Sequence, residues 1–135
     1  MGDLVAELKK EHAALAALLG EIKARGFGSP EVARKLLLVR HGLSGHLRKE
    51  DEQLYPVLRR AAERDERLRH LVDVFAREMT EVARTAHDFF TKYAEGGDGA
   101  AFMREFGRVA ALLAARIRNE EALLYAAYEK LVPAT

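Results

Sequence analysis

The stretch HLRKEDEQLYP, residues 46–56, combines a candidate ligand pair with a residue that disfavours helix. His46 and Glu50 are four residues apart, so in a helix they lie on one face, about one turn from each other. Pro56 follows where the helix would continue, and we expect it to bend or end the helix. An isolated pair of this kind is more often a surface interaction than half of a metal site, so further ligands must come from elsewhere in the chain.

The composition limits how many domains the chain can form, which metal ligands it can offer and which partners it can bind. The 135 residues fit one domain, which we expect to span residues 1–135. The absence of cysteine excludes disulfides, thiolate metal sites and cysteine nucleophiles, so a metal would need nitrogen and oxygen ligands. The net charge is only +1 and the charges are spread along the chain, which argues against a nucleic-acid partner. No apolar run approaches the roughly 20 residues of a membrane span, and we expect a cytoplasmic protein without a membrane partner.

Apolar spacing and helix-capping residues predict four helices. Asp3, Ser29 and Asp98 are candidate N-caps, and Pro30 suits the first position of the second helix. The predicted helices run from just after Asp3 to the GFGSP segment, from Pro30 to about Ala62, from about Glu66 to Glu95, and from about Ala100 to Leu131. Short connections make neighbouring helices antiparallel, so the expected fold is all-α, an up-down-up-down four-helix bundle.

The second and fourth predicted helices show an internal repeat. HLRKEDEQLYPVL at 46–58 and RIRNEEALLYAAY at 116–128 are offset by 70 residues, and a fainter match relates EHAAL at 11–15 to EMTEV at 78–82. The pairs that match are Arg48 with Arg118, Glu50 with Glu120, Leu54 with Leu124, and Tyr55 with Tyr125. A twofold bundle would bring His12, His46, Met79 and Arg116 to one level, with the two glutamates facing each other. The alternative is that two leucine-rich amphipathic helices merely look alike.

EHAAL, HLRKEDEQLYP and RIRNEEALLY resemble the hemerythrin-like HHE cation-binding family, and the four-helix pattern extends the resemblance over nearly the whole chain. In that family two irons lie inside the bundle, held by histidines from all four helices and bridged by carboxylates of the second and fourth. The resemblance implies that His12 and His46 are terminal ligands of one iron. It also implies that Glu50 and Glu120 are the bridging carboxylates, and that Pro56 lies just beyond the site.

The positions that match the second iron carry no suitable ligands. Met79 and Arg116 stand where the family has histidine, and Phe75 offers no ligand one turn before Met79. A thioether is a poor ligand for iron or manganese, and a guanidinium is itself a cation. We therefore expect one Fe²⁺, with Mn²⁺ or Zn²⁺ as alternatives, and Arg116 in contact with both Glu50 and Glu120. In the alternative interpretation Arg116 extends to solvent.

Three further histidines, His41, His70 and His87, are expected to be structural or solvated. His41 lies about 140° around the helix from His46, and His87 could replace the missing ligand only if the third helix were shifted by two turns. Two functions remain. The first is a hemerythrin-like protein with one non-haem iron that senses, binds or stores O2, NO or the metal. The second is a metal-free helical module that acts through a surface partner, with Arg116 paired to Glu50 and Glu120. A non-haem oxygenase is the least favoured, because no catalytic residue can be identified.

Overall fold

The computed structural model describes residues 3–93 and 96–132, and these form four helices. Helix α1 is Leu4–Arg25, and α3 is Glu66–Lys92. Helices α2 (residues 30–62) and α4 (residues 99–131) each contain a π-helical turn. Helix α2 comprises Pro30–Lys49, the π turn Glu50–Leu54 and Tyr55–Ala62, and α4 comprises Gly99–Asn119, the π turn Glu120–Leu124 and Tyr125–Leu131. The predicted all-α four-helix bundle is confirmed, and no strand occurs among the described residues.

Capping side chains fix where the helices begin. Asp3 accepts a hydrogen bond from the backbone N–H of Val5, and Ser29 accepts one from Val32. Asp98 in turn accepts one from the N–H of Ala100. All three predicted N-caps are therefore confirmed. Helix α3 ends at Lys92, three residues earlier than expected, and the predicted end, Glu95, lies outside the described residues.

Two apolar clusters lie on either side of a polar layer. One cluster is built around the aromatic rings of Phe89, Phe102 and Phe106, and the other around Leu58 and Leu124. Along α1 and α3 the chain passes from the second cluster to the first, and along α2 and α4 it passes in the reverse order. This alternation is the signature of antiparallel neighbours, and it leaves a buried polar layer at mid-height in the bundle.

One π turn begins at Glu50, one helical turn after His46 in α2, and the other begins at Glu120, one helical turn after Arg116 in α4. In each turn a backbone N–H bonds five residues back, from Tyr55 to the carbonyl of Glu50 and from Tyr125 to that of Glu120. A π turn contains one extra residue. The inward-facing positions after the turn are therefore shifted by one residue relative to those before it. The two halves of the internal repeat therefore share a backbone conformation as well as a sequence pattern.

Pro56 does not end α2, which continues to Ala62 as its predicted bounds had it. Pro56 follows the π turn directly, so its missing N–H falls where the α-helical bonding pattern is already interrupted. The corresponding residue of α4 is Ala126, and that helix has the same π turn. Proline is therefore accommodated by the π turn rather than responsible for it.

No helix within residues 3–93 and 96–132 is long and apolar enough to cross a membrane. A cytoplasmic location, and a single domain spanning residues 1–135, stay predictions.

Candidate metal centre

Four of the predicted site residues meet in the polar layer. His12 comes from α1, His46 and Glu50 from α2, and Glu120 from the start of the π turn in α4. Each offers a nitrogen or carboxylate oxygen, and these four atoms all lie within 4.8 Å of one another. All four residues are buried, and Glu50 is completely inaccessible to solvent. The i,i+4 pair of the second helix therefore faces the core and is not a surface interaction.

The two histidines direct their Nε2 atoms at each other. The Nε2 atoms are 3.0 Å apart, and that of His12 is 2.9 Å from Oε1 of Glu120. On the far side of each ring, Nδ1 lies 2.8 Å from a carboxylate, Glu121 for His12 and Glu11 for His46. An ionised carboxylate only accepts hydrogen bonds, so Nδ1 carries the proton in both rings. In the neutral form of each ring, Nε2 is thereby free to offer a lone pair to a metal at the centre.

The imidazole nitrogens and carboxylate oxygens of this layer lie close together, so a positive charge between them is favoured. His46 Nε2 is 3.2 Å from Oε2 of Glu50 and 3.7 Å from Oε1 of Glu120. Burial opposes a charged ring, but the interactions with Glu120 and Glu50 outweigh it and raise the pKa of His46 to about 10. Without a metal, a proton on His46 therefore supplies the positive charge between the two rings.

The two buried glutamates differ in their surroundings. Burial raises the pKa of Glu50, and its Oε1 has no hydrogen-bond partner among the described residues. Burial would also raise the pKa of Glu120, but hydrogen bonds with the two histidines and the charge of Arg116 hold it well below its usual range. Glu120 is therefore the carboxylate that stays ionised, and Glu50 has a spare buried oxygen.

Arg116 fills the place that corresponds to His46 in the internal repeat. The residue is buried, so the alternative in which it extends to solvent is wrong. Its Nε donates to Oε2 of Glu120 over 3.0 Å, and its two terminal nitrogens donate to the carbonyl of Phe75 and the hydroxyl of Tyr55. The guanidinium also lies over the Phe75 ring, 4.9 Å from its centroid.

One expectation about Arg116 is corrected by this geometry. The guanidinium pairs with Glu120 alone and does not contact Glu50, because its other donors are directed to Phe75 and Tyr55. Phe75, which offers no side-chain ligand, contributes through its backbone carbonyl. Met79 lines the cavity beside the centre, together with His12, His46 and Arg116. The second half of the site is therefore occupied by a side-chain cation.

Tyr125 is the central residue that sequence reasoning missed. Its hydroxyl donates to Oε2 of Glu50 over 2.6 Å and lies 3.2 Å from Oε1 of Glu120. The signal was present, since Tyr125 matches Tyr55 in the repeat. What the pattern could not show was that the π turn directs this tyrosine at the ligands.

Glu11 and Glu121 were also missed, although each is adjacent in sequence to a predicted ligand. Glu11 precedes His12 but holds His46 of the neighbouring helix, while Glu121 follows Glu120 and holds His12. Lys49 donates to Oε2 of Glu11 over 2.6 Å and so fixes that carboxylate in turn. These crossed contacts tie α1 to both α2 and α4.

The remaining histidines take no part in the centre. His41, His70 and His87 are all exposed, as expected.

A small cavity adjoins the centre on the side of the aromatic cluster. Its volume is about 20 Å³, and His12, His46 and Glu120 form one of its walls. The rest of the lining is largely apolar, provided by Leu15, Leu19, Val39, Leu43, Val82 and Leu113. A cavity of roughly 10–15 Å³ already admits one water molecule, so there is room here for a molecule of about that size.

The donor set fits one metal ion. Two imidazole nitrogens with free lone pairs and two carboxylates suit Fe²⁺, Mn²⁺ or Zn²⁺, and the unpartnered Oε1 of Glu50 leaves donor capacity to spare. A second ion does not fit beside Arg116, because the guanidinium already neutralises that side of Glu120. The structure thus offers one complete half-site.

Comparison with known proteins agrees with the architecture. The family model described as the hemerythrin HHE cation-binding domain matches residues 3–128. The chain therefore belongs to the hemerythrin HHE family. No curated protein and no solved structure gave a significant match.

Replacing Arg116 by alanine should destabilise the metal-free protein strongly. The substitution leaves the buried Glu120 without its ion pair and the Phe75 carbonyl without its donor. Removing one partner of a buried pair typically costs about 3–5 kcal/mol, so thermal or urea unfolding of the metal-free Arg116→Ala variant should show a loss of that size.

Arg118→Ala is the matched control, since Arg118 is an exposed arginine of the same helix. Its unfolding should differ little from that of the wild type. Equal stability of the two variants would contradict the role assigned to Arg116.

Proposed function

We propose that this member of the hemerythrin HHE family binds one non-haem iron through His12, His46, Glu50 and Glu120 and uses it to bind a small diatomic ligand, O2 or NO. The observation that carries this proposal is the pair of Nε2 atoms, 3.0 Å apart and directed inward beside two buried carboxylates. Iron is favoured by the family, whereas the donor set alone would also accept Mn²⁺ or Zn²⁺. Bound iron would supply an open coordination position.

The residues of the chain have distinct tasks in this proposal. Glu11 and Glu121 hold the imidazole rings by their Nδ1 atoms, which keeps both Nε2 atoms directed at the metal position and makes the rings better donors. Glu50 and Glu120 provide the negative charge that offsets a divalent cation. Arg116 keeps the remaining oxygen of Glu120 occupied, so that only Oε1 is offered to the metal.

The adjoining cavity supports a diatomic ligand in place of a larger substrate. Its volume of about 20 Å³ and its largely apolar walls suit a small, weakly polar molecule. Because the cavity reaches the two histidines and Glu120, a molecule inside it would lie next to the metal position. Binding, sensing and storage all remain within this proposal.

A metal-free interaction module is the second candidate, and one observation favours it. The buried Glu120 already has cationic neighbours without a metal, since it pairs with Arg116 and lies 3.7 Å from Nε2 of His46, whose pKa is raised to about 10. In this candidate the layer is purely structural, and a surface of the bundle contacts a protein partner. The first experiment below decides between the two.

Purified protein loaded with Fe²⁺ without oxygen and then desalted should retain about one iron per chain by elemental analysis. Alanine at His12, His46, Glu50 or Glu120 should abolish this retention, because each removes one of the clustered donors. Alanine at the exposed His41, His70 or His87 should leave it unchanged and serves as the control.

Retention of two irons per chain would contradict the single-metal proposal, and no retained metal would favour the metal-free module. The paired substitutions Met79→His and Arg116→His rebuild the second half-site by giving it two imidazoles in place of a thioether and a guanidinium. This double variant should raise the retained iron above one per chain.

Glu11→Gln and Glu121→Gln should each weaken metal binding by about 10–100-fold, the usual effect of losing a carboxylate that orients a ligating histidine. Glutamine keeps the size of the side chain but removes the charge that fixes the Nδ1–H tautomer. The measurement is a competition titration with a chelator. Glu52→Gln, at an exposed position of α2, should bind like the wild type, and equal affinities in all three variants would remove the orienting role.

The diatomic ligand can be tested with NO and the ferrous protein. Val39→Leu places an extra methylene in the cavity, so NO should associate more slowly while iron content stays unchanged. The spectral change on NO addition, followed by stopped flow, gives the rate. Val32→Leu is the matched control, because Val32 is a buried valine of the same helix and cluster outside the cavity. Equal slowing in both variants would contradict an entry through this cavity.

A further inference from the structure

The hydroxyl of Tyr125 lies among the four candidate ligand atoms. Besides Oε2 of Glu50 at 2.6 Å and Oε1 of Glu120 at 3.2 Å, it lies 3.2 Å from Nε2 of His12 and 3.3 Å from Nε2 of His46. The tyrosine is completely buried, and its ring stacks against that of His12 with the centroids 5.4 Å apart. One oxygen atom thus contacts all four members of the cluster.

These distances are those expected between neighbouring ligands of a single ion. Metal bonds to nitrogen and oxygen of about 2.0–2.2 Å place adjacent donor atoms about 3 Å apart. The distances from the His12 Nε2 atom to Nε2 of His46 and to Oε1 of Glu120, 3.0 and 2.9 Å, are of this size. The distances from the Tyr125 oxygen lie in the same range, whereas an orienting residue behind a ligand would contact that ligand alone.

The repeat supplies an internal comparison. Tyr55 occupies the position equivalent to Tyr125, yet its hydroxyl accepts a hydrogen bond from Arg116 at 3.1 Å. The Tyr55 oxygen therefore lies beside the guanidinium of Arg116. The Tyr125 oxygen lies among the candidate ligands, where a metal cation would bind.

We propose that the phenolic oxygen of Tyr125 is a fifth ligand of the centre when the bound iron is ferric. This inference rests on the proposed metal site, because it requires an ion among His12, His46, Glu50 and Glu120. Tyrosine is an established ligand of iron in proteins. With Glu50 and Glu120 it would provide three negative oxygen ligands for a trivalent ion.

The binding step is a ligand exchange with no change of oxidation state. An Fe–O bond to the phenolate forms as an Fe–O bond to citrate breaks; the phenolic O–H bond also breaks, and its proton passes to the released citrate or the buffer. Iron enters as a ferric salt, so no oxidant is needed. The competing role for Tyr125 is a hydrogen-bond donor that only positions Glu50.

The test is the absorption spectrum of protein loaded with ferric citrate and desalted. A phenolate bound to Fe³⁺ should produce a visible charge-transfer band, and resonance Raman excitation in that band should enhance tyrosinate vibrations. Tyr125→Phe should lose the band. Tyr55→Phe, which removes the equivalent hydroxyl of the other half, should keep it.

Zn²⁺ content separates this inference from the proposed metal site. Wild type and Tyr125→Phe that both retain about one Zn²⁺, with no visible band from the ferric wild type, would overturn the fifth ligand and leave the four-residue site standing. Failure of the wild type to retain Zn²⁺ or Fe³⁺ would overturn both. A band that survives in Tyr125→Phe would likewise overturn the inference.

Should Tyr125→Phe fail to fold, the wild type alone still decides the matter. Ring-deuterated tyrosine should shift the enhanced vibrations if they belong to a bound phenolate. Unshifted vibrations would contradict coordination by tyrosine.

Discussion

The ion pair between Arg116 and Glu120 is the interaction on which the centre of the bundle depends. Two carboxylates, Glu50 and Glu120, are buried between two apolar clusters, where an uncompensated charge is very costly. Arg116 offsets one charge over 3.0 Å, and its other donors anchor it to Tyr55 and to the Phe75 carbonyl. Each of the three guanidinium nitrogens thus has a partner in a different helix, and the arginine connects α2, α3 and α4.

The internal repeat explains why the two halves of the layer can differ without loss of the fold. Both halves keep a glutamate at the start of a π turn and a tyrosine at its end, so the backbone frame is the same. What differs is the cation each half accommodates. Arg116 brings its own positive charge, whereas His46, at the equivalent position, offers a lone pair to a charge that must come from a proton or an ion.

Much of this arrangement was predictable from the sequence because it depends on spacing. The i,i+4 spacing of His46 and Glu50 and the 70-residue offset to Glu120 fix which residues share a level, and helix caps such as Ser29 have a direct local signal. The π turns had no such signal, since one precedes Pro56 and the other Ala126. The repeat pairs Tyr125 with Tyr55, but the direction of the Tyr125 hydroxyl depends on the π turn and could not be predicted.

The crossed contacts of Glu11 and Glu121 were unpredictable for another reason, since they depend on the rotation of one helix against its neighbour. Their effect is to hold both imidazole rings by Nδ1 with Nε2 directed at the centre. Without a metal, the guanidinium of Arg116 and a proton on His46 lie within ion-pair distance of the buried Glu120 and offset its charge. A metal entering the centre would displace a proton from a formed site, in contrast to small zinc domains in which binding and folding are one event.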